Sequence, residues 1–363
     1  MTPLRVVIAG GGTGGHLYPG IAVAREILRR DPEATVTFAG TARGIESRVV
    51  PREGFELDLL RSTGLKGMSV TALLRGLLLL PLSAIDAVRI LRRRAPDVVI
   101  GVGGYSSGPV VLAAALGGIN TMLLEQNAVP GLTNRLLARL VSAAAVTYES
   151  TASYFGRRAF VAGNPVRPEF LSEHLSPGLR PAGPPRILIF GGSQGSHAIN
   201  LAMVEAAPQL AAGAGGVAIT HQTGERDREL VSDGYSRAGL EARVEPFLFA
   251  MDREMRSADL IICRAGATTL AELTAAGRPS LLVPLPTAAD DHQRRNAEVM
   301  AAAGAAELLD QTRLTGPLLA ERIAALIGDP ARLEAMSLAA RRLARPDAAM
   351  VIADRVFQLG ERD

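Results

Sequence analysis

One short pattern occurs twice in this chain and limits the fold more than any other feature. Arg5-Val-Val-Ile-Ala-Gly-Gly-Gly-Thr-Gly-Gly-His16 and Arg186-Ile-Leu-Ile-Phe-Gly-Gly-Ser-Gln-Gly-Ser-His197 each read as an apolar run, a glycine-rich turn and the start of a helix. An apolar run without polar alternation is a strand buried on both faces, and such strands belong to parallel sheets covered by helices. A strand, glycine loop and helix in succession opens a Rossmann-like domain. Its return about halfway along the 363 residues predicts an α/β chain of two such domains in tandem, with a cleft between them.

The rest of the chain keeps the same rhythm. Residues 6–9, 35–39, 97–101 and 121–124 read as strands in the first half, and 186–190, 216–221, 260–263 and 280–283 in the second, with helix-length segments between them. Six prolines fall between residues 164 and 185, a density that neither a helix nor a central strand tolerates. That stretch is read as a linker between an N-terminal domain, 1–163, and a C-terminal domain, 186–346. A last helix over about 347–363 carries Ala348, Val351, Ile352, Val356 and Phe357 on one side. It fits equally as the end of the second domain or as a helix that packs back on the first.

Composition narrows the class. With 48% hydrophobic and 21% charged residues the chain can bury a large core. The single cysteine, Cys263, excludes a disulfide framework and a Cys-rich zinc site, and it suits a reducing compartment. No run approaches the ~20 apolar residues of a membrane span, and residues 1–10 read as a strand, not a signal peptide. A cytosolic protein is expected. The net charge of +3 hides an asymmetry: residues 1–163 hold 18 Lys+Arg against 11 Asp+Glu, and the remainder 21 against 25. Lys66, Arg75, Arg89, Arg92, Arg93 and Arg94 face only Asp86 and Asp97 in their stretch, which points to an anionic partner. Nucleic acid is disfavoured, since Trp is absent, aromatics are 4% and no nucleic-acid module occurs.

Chemistry gathers at the glycine turns. Gly10, Gly12 and Gly15 match the dinucleotide fingerprint, but an NAD enzyme also needs an acid at the end of the second strand, where this chain reads Phe38-Ala-Gly-Thr41. His16 opens the following helix, whose positive end disfavours imidazolium and leaves a neutral base. The second loop, with Ser193 and Gln194, fits a phosphate cradle, and a third glycine turn runs over Gly103-Gly-Tyr105. Thr268 and Thr269 can cap a helix on which Glu272 could hold ribose hydroxyls, or serve only as a surface carboxylate. The cluster Asp290-Asp-His-Gln-Arg-Arg-Asn296 suits sugar hydroxyls or a solvated loop. No metal-ligand spacing occurs, so no metal site is expected. Residues 73–82, about half the length of a span, fit either a helix on an anionic membrane or a core helix with a basic end.

Six ordered motifs carry a resemblance: residues 11–16, 103–105, Glu125-Gln-Asn127, Asn164-Pro-Val-Arg167, 191–195 and Thr269-Leu-Ala-Glu272. Over nearly its whole length the chain resembles the MurG family, the family 28 hexosyltransferases of bacteria that add N-acetylglucosamine to lipid I and so make lipid II of peptidoglycan. The resemblance implies a GT-B fold, two Rossmann-like domains facing each other across a cleft, and an inverting transfer to the C4 hydroxyl of N-acetylmuramic acid. It implies donor contacts at Thr13, Gly14, Gly15, Asn127, Arg167, Ser193, Gln194, Leu248, Ala267, Thr268, Thr269, Leu270, Glu272, His292 and Gln293. His16 is the implied base, and Gly103, Gly104, Tyr105, Glu125 and Asn127 the implied acceptor contacts. Leu73, Arg75, Leu77, Leu78, Leu80, Arg89, Arg92 and Arg93 become a docking face for an anionic membrane. The implied partners are UDP-GlcNAc, lipid I, the cytoplasmic face of the inner membrane and other cell-wall synthesis proteins. No cofactor and no metal are implied for the chemistry.

The chain departs from its relatives at Leu124, where many carry histidine, and at Ser196, where alanine is common. Relatives also vary around residue 292. Three alternatives stay open on sequence: a GT-B transferase with another lipid acceptor, a UDP-GlcNAc 2-epimerase, and a non-catalytic UDP-sugar-binding peripheral membrane protein. His16 beside three intact glycine loops counts against the last.

Overall fold

The computed structural model describes residues 3–62, 70–171, 183–213 and 216–361, with only the helical backbone described over 70–80. The chain forms two units, Met1–Arg167 together with Arg345–Asp363, and Pro168–Ala344.

The first unit contains strands β1 (Arg5–Gly10), β2 (Thr35–Gly40), β3 (Glu56–Leu59), β4 (Val98–Gly103), β5 (Asn120–Glu125), β6 (Ala143–Val146) and β7 (Ala159–Val161). Its helices are α1 (Gly14–Arg30), α2 (Glu46–Arg52), α3 (Val70–Arg94), α4 (Ser107–Leu116), α5 (Leu132–Leu137) and α6 (Glu149–Ala152). The second unit contains β8 (Arg186–Phe190), β9 (Ala218–Gln222), β10 (Ala242–Glu245), β11 (Leu260–Cys263), β12 (Ser280–Leu282) and β13 (Ala306–Leu308). Helices α7 (His197–Ala212), α8 (Arg228–Ala238), α9 (Met251–Ser257), α10 (Ala267–Ala276), α11 (His292–Ala302), α12 (Gly316–Ile327) and α13 (Pro330–Leu343) belong to it. The chain then returns to the first unit as α14 (Ala348–Gly360).

Both sheets are parallel throughout. The first runs β3-β2-β1-β4-β5-β6-β7 and the second β10-β9-β8-β11-β12-β13. Side chains alternate between faces along each strand. In the first unit Val6, Ile8, Phe38 and Ile100 pack with α1 and α14, whereas Val7, Ala9, Val99 and Leu123 pack with α3 and α4. Ile8 lies in register with Phe38 on one side and Ile100 on the other, all three buried. In the second unit Ile187, Ile189, Leu260 and Ile262 pack against α7 and α12.

α14 buries Ile352, Ala353 and Val356 in the first unit's core. Arg30 ties it to α1 through Asp354 and the Met350 carbonyl, and Asn120 donates to the Leu359 carbonyl at 2.7 Å. Within the proline-rich stretch, residues 168–170 form a short turn in the second unit, where Phe170 is buried and the Glu169 carbonyl accepts from Arg256 at 2.7 Å. In each sheet the strand order reverses once, between β1 and β4 and between β8 and β11. The carboxyl ends of such strand pairs are where open α/β sheets bind ligands.

Candidate functional sites on the two units

On the first unit the loops after β1, β4 and β5 converge on His16. Thr13 takes the extended N-cap position of α1 and makes no side-chain cap bond; Gly14 and Gly15 form the first turn. The His16 ring lies against Gly103, so closely that a Cβ there would stand 2.9 Å from Nδ1. Gly103 also holds φ at +98°, a second reason for glycine. Nδ1 faces Oε1 of buried Gln126 at 3.2 Å, and Gln126 Nε2 donates to the Val102 carbonyl at 3.0 Å. Gly104 and half-buried Tyr105 complete this side, the Tyr105 ring standing next to Gly12. Arg167 reaches α1 and sets its guanidinium over the Tyr18 ring, 5.7 Å from the centroid. The spacing reading had not singled out Tyr18 or Gln126.

The loop after β1 is closed from within. Glu46, fully buried, accepts from the Gly12 amide at 2.8 Å, the Thr41 amide at 2.9 Å and the Thr41 hydroxyl at 2.9 Å. The acid missing at the end of β2 thus appears six residues later, turned onto the glycine loop. A carboxylate stands where a phosphate would otherwise receive the Gly12 N–H, which takes that amide out of any phosphate cradle.

Glu125 is likewise an internal strut. Oε1 accepts from the Asn127 amide at 3.0 Å and its side chain at 3.3 Å, and Oε2 from Gly131 at 3.1 Å and Asn134 at 2.8 Å. Burial pushes its pKa upward, and these four donors oppose the shift without reversing it. These four bonds make Glu125 a strut of the 126–131 turn. Asn127, close to fully buried, belongs to the same turn. Leu124 is a core residue of β5.

On the second unit the 191–196 loop leads into α7. The Gly195 amide donates to the Gly192 carbonyl at 3.0 Å, closing a tight turn. Gln222 spans two parts of the site: its Nε2 donates to the Gly192 carbonyl at 2.9 Å, and its Oε1 accepts from the Leu248 amide at 2.8 Å. Ser193 and Gln194 lie at the exposed crest. No acidic residue occupies the first turn of α7. Ser196 holds the N-cap position yet caps nothing, and its buried hydroxyl has no partner among the described residues. The loop therefore leads into the positive end of a 16-residue helix, with a buried hydroxyl beside it.

The switch-point partner of that loop is the turn from β11 into α10. Gly266 caps α10, Ala267, Thr268 and Thr269 form its first turn, Leu270 enters the core, and Glu272 is 6% exposed. Arg264 braces the turn through the carbonyls of Val283 at 3.0 Å and Pro284 at 3.1 Å. His292 starts α11 with Nδ1 on the Ala289 carbonyl at 2.6 Å, and Gln293 Oε1 accepts from Leu285 at 3.0 Å, so its amide NH2 is the end that can donate. Behind the loop, His221 is fully buried between Tyr235 at 2.7 Å and Asn200 at 3.1 Å, and burial lowers its pKa to about 3.

Of the expected docking residues, Leu73, Arg75, Leu77, Leu78 and Leu80 lie outside the residues whose side chains are described, and Lys66 outside the described residues altogether. Arg89, Arg92 and Arg93 are exposed on α3, with Arg93 paired to Asp58. Sequence patterning missed the neighbouring apolar surface. Ile85 and Val88 of α3, Leu116 of α4, and Leu132 and Leu136 of α5 are exposed on helices that pack side by side, next to Leu82 of the expected patch. Among the described residues, no helix is long and apolar enough to cross a membrane and no acidic, His or Cys cluster could hold a metal.

Two parallel-sheet units of GT-B type, one presenting a histidine and the other a glycine loop and helix N-terminus at its switch point, have the architecture of a nucleotide-sugar glycosyltransferase. Known proteins agree. Residues 6–146 match the glycosyltransferase family 28 N-terminal domain and residues 186–352 the family 28 C-terminal domain, so the chain belongs to glycosyltransferase family 28. It is 49% identical over 360 residues, covering 99% of this chain and 94% of the relative, to a UDP-N-acetylglucosamine–N-acetylmuramyl-(pentapeptide) pyrophosphoryl-undecaprenol N-acetylglucosamine transferase of Anaeromyxobacter sp. (strain Fw109-5). The Pelobacter propionicus protein of the same name is 46% identical over 98% of this chain and 99% of its own. The crystal structure of Acinetobacter baumannii MurG superposes with a TM-score of 0.82 at 31% identity, over 98% of this chain and all of that one.

Proposed function

We propose that this chain moves N-acetylglucosamine from UDP-GlcNAc to the C4 hydroxyl of N-acetylmuramic acid in lipid I, giving lipid II. The observation that carries this reading is the match, at 46–49% identity and over nearly the whole of both chains, to transferases named for that reaction. The first unit supplies the base and the second the diphosphate site.

His16 takes the proton of the C4 hydroxyl at Nε2, and the hydroxyl oxygen forms its bond to the anomeric carbon from the face opposite the diphosphate. The bond from that carbon to the diphosphate oxygen breaks, UDP leaves with the electron pair, and the anomeric centre inverts to a β-1,4 linkage. Negative charge gathers on the departing diphosphate, where the loop amides, the α7 dipole, the Ser196 hydroxyl and Arg167 stabilise it. Glu272 holds the ribose, and Gln293 and His292 read the sugar. The reaction proceeds without a metal. The exposed leucines of α4 and α5, with Ile85, Arg89 and Arg92, rest on an anionic membrane surface, where basic side chains add about 1 kcal/mol each.

The test is transfer of labelled GlcNAc from UDP-GlcNAc to a lipid I analogue, with EDTA present and an acceptor-free control. Acceptor-dependent product is expected; donor loss in the control would point to an epimerase. His16→Ala should lower kcat by about 10²- to 10⁴-fold. A change confined to KM would remove His16 as base. Sedimentation with phosphatidylglycerol vesicles should weaken in Arg89→Glu and with added salt.

A further inference from the structure

Gln126 stands in the Glu125-Gln-Asn127 motif, yet nothing so far gives it a role. It is 2% exposed and sits at the end of β5, with one end of its amide on the His16 ring and the other on the backbone of β4. The Val102 carbonyl is an acceptor only, so the amide end that faces it must be the NH2 group. That orientation turns Oε1, which cannot donate, toward His16 Nδ1 at 3.2 Å. The hydrogen of that contact therefore comes from the ring. A neutral imidazole with its proton on Nδ1 carries its lone pair on Nε2.

We propose that Gln126 is a positioning residue that holds His16 as the Nδ1–H tautomer and thereby makes Nε2 the proton-accepting atom. The inference rests on the reading of His16 as base and adds how the chain selects which nitrogen does the work. Two further features serve the same end. Gly103 lets the backbone meet the ring face at a distance that any side chain would block, so the ring keeps one plane. The ring also lies in the first turn of α1, whose positive end favours neutral imidazole over imidazolium. A carboxylate in place of Gln126 could accept from Nδ1–H but could not donate to the Val102 carbonyl, and it would pull the ring toward the charged form. An amide orients without charging. The Val102 carbonyl belongs to β4 and Gln126 follows β5, adjacent parallel strands, so the setting of the ring is built into the sheet itself.

The test reads the tautomer directly. In the full-length protein labelled with ¹⁵N, long-range ¹H–¹⁵N correlation of the five histidines distinguishes protonated from unprotonated ring nitrogens, and His16→Asn assigns the His16 signals. The expected result is a protonated Nδ1 and an unprotonated Nε2 in the wild type. Gln126→Ala should shift His16 toward the Nε2–H form and lower kcat by about 10- to 100-fold, with KM for UDP-GlcNAc unchanged. Gln126→Glu, which keeps an acceptor for Nδ1–H but adds a charge, should keep Nδ1 protonated and draw a proton onto Nε2 as well. An Nε2–H tautomer in the wild type would overturn the proposal without any variant. So would a Gln126→Ala protein whose tautomer is unchanged, or whose defect lies in KM alone. If the tautomer follows Gln126 as expected while His16→Ala keeps its kcat, the positioning stands and the base assignment falls.

Discussion

The two glycine loops look alike in sequence and are opposite in electrostatics. After β1, the Gly12 amide is taken by Glu46, a carboxylate of the protein itself. After β8, the loop is braced through its carbonyl side by Gln222, the first turn of α7 carries no acid, and the Ser196 hydroxyl is left without a partner. The first loop is a finished internal structure whose product is a fixed histidine. The second has no acid of its own in the first turn of its helix and fits the diphosphate site proposed above. A strand, a glycine turn and a helix thus specify geometry; the residue that meets the freed amides decides whether the turn binds a phosphate.

Breaking the second loop should have the largest effect. At Gly195 φ is +73° and a Cβ would stand 1.8 Å from the Thr223 carbonyl oxygen, so Gly195→Ala forces the cradle to rebuild. Calorimetry should show UDP affinity falling about 100-fold, near 3 kcal/mol of backbone strain and misplaced donors. Gly192→Ala is the control: φ is +95° but nothing lies within 4 Å of the added Cβ, so a loss within about 5-fold, ~1 kcal/mol of strain, is expected. Equal losses in the two variants would mean that the cradle has no defined shape.

Breaking the first loop should cost stability before it costs binding. Glu46→Ala leaves two amides and a hydroxyl without their acceptor, about 2–4 kcal/mol in denaturant unfolding. UDP affinity should change far less than in Gly195→Ala. If both fell together, the first loop would be a phosphate site after all.

How much of this the sequence shows depends on what carries the signal. The central strands are continuous apolar runs, and β1, β2, β4, β5, β8, β9, β11 and β12 were legible for that reason. β6 is Ala-Ala-Ala-Val, which reads as helix, while β3, β7, β10 and β13 are three- or four-residue strands toward the sheet edges, too short for any period to register. The glycine loops and His16 were visible because their spacing is local. Glu46 was not: it reaches Gly12 across 34 residues, through a fold that no local pattern encodes. Gln126 and Gln222 were hidden for the same reason, their partners lying on neighbouring strands. The exposed leucines of α4 and α5 become a surface only once three helices stand side by side.

A third prediction concerns the packing behind the second loop. His221 is held neutral, its pKa lowered by burial from 6.5 to about 3. The unfolded chain takes up a proton near pH 6.5 that the folded chain refuses. The contribution to stability is therefore complete above pH 6.5 and is lost as pH falls toward 3, at ~1.4 kcal/mol per pH unit. Unfolding free energies from urea should hold between pH 7.5 and 6.5 and then fall toward pH 5 with that slope in the wild type, and His221→Gln should flatten the fall. The first loop has no histidine buried in this way, since His16 is half exposed. An unchanged slope in the variant would move the acid sensitivity elsewhere.

The smallest effect is the sharpest test of the contrast between the loops. Ser196 sits where a serine ordinarily caps its helix, in extended backbone with φ −141° and ψ 102°, yet its hydroxyl bonds to none of the α7 amides. Only 7% of the residue is exposed, so water does little to compensate. A buried hydroxyl without a partner is a cost of about 1–3 kcal/mol to the unliganded protein. Replacing it by alanine should therefore raise stability slightly, by ~0.5–1 kcal/mol, where losing a working cap would lower it by about the same amount. If the hydroxyl is kept to meet the diphosphate, Ser196→Ala should also weaken UDP by about 5- to 10-fold, the net worth of one ordinary hydrogen bond. The two signs must appear together. A stabilised protein with unchanged UDP affinity would leave the anion to the loop amides and the helix dipole alone, and a destabilised one would show that the hydroxyl caps α7.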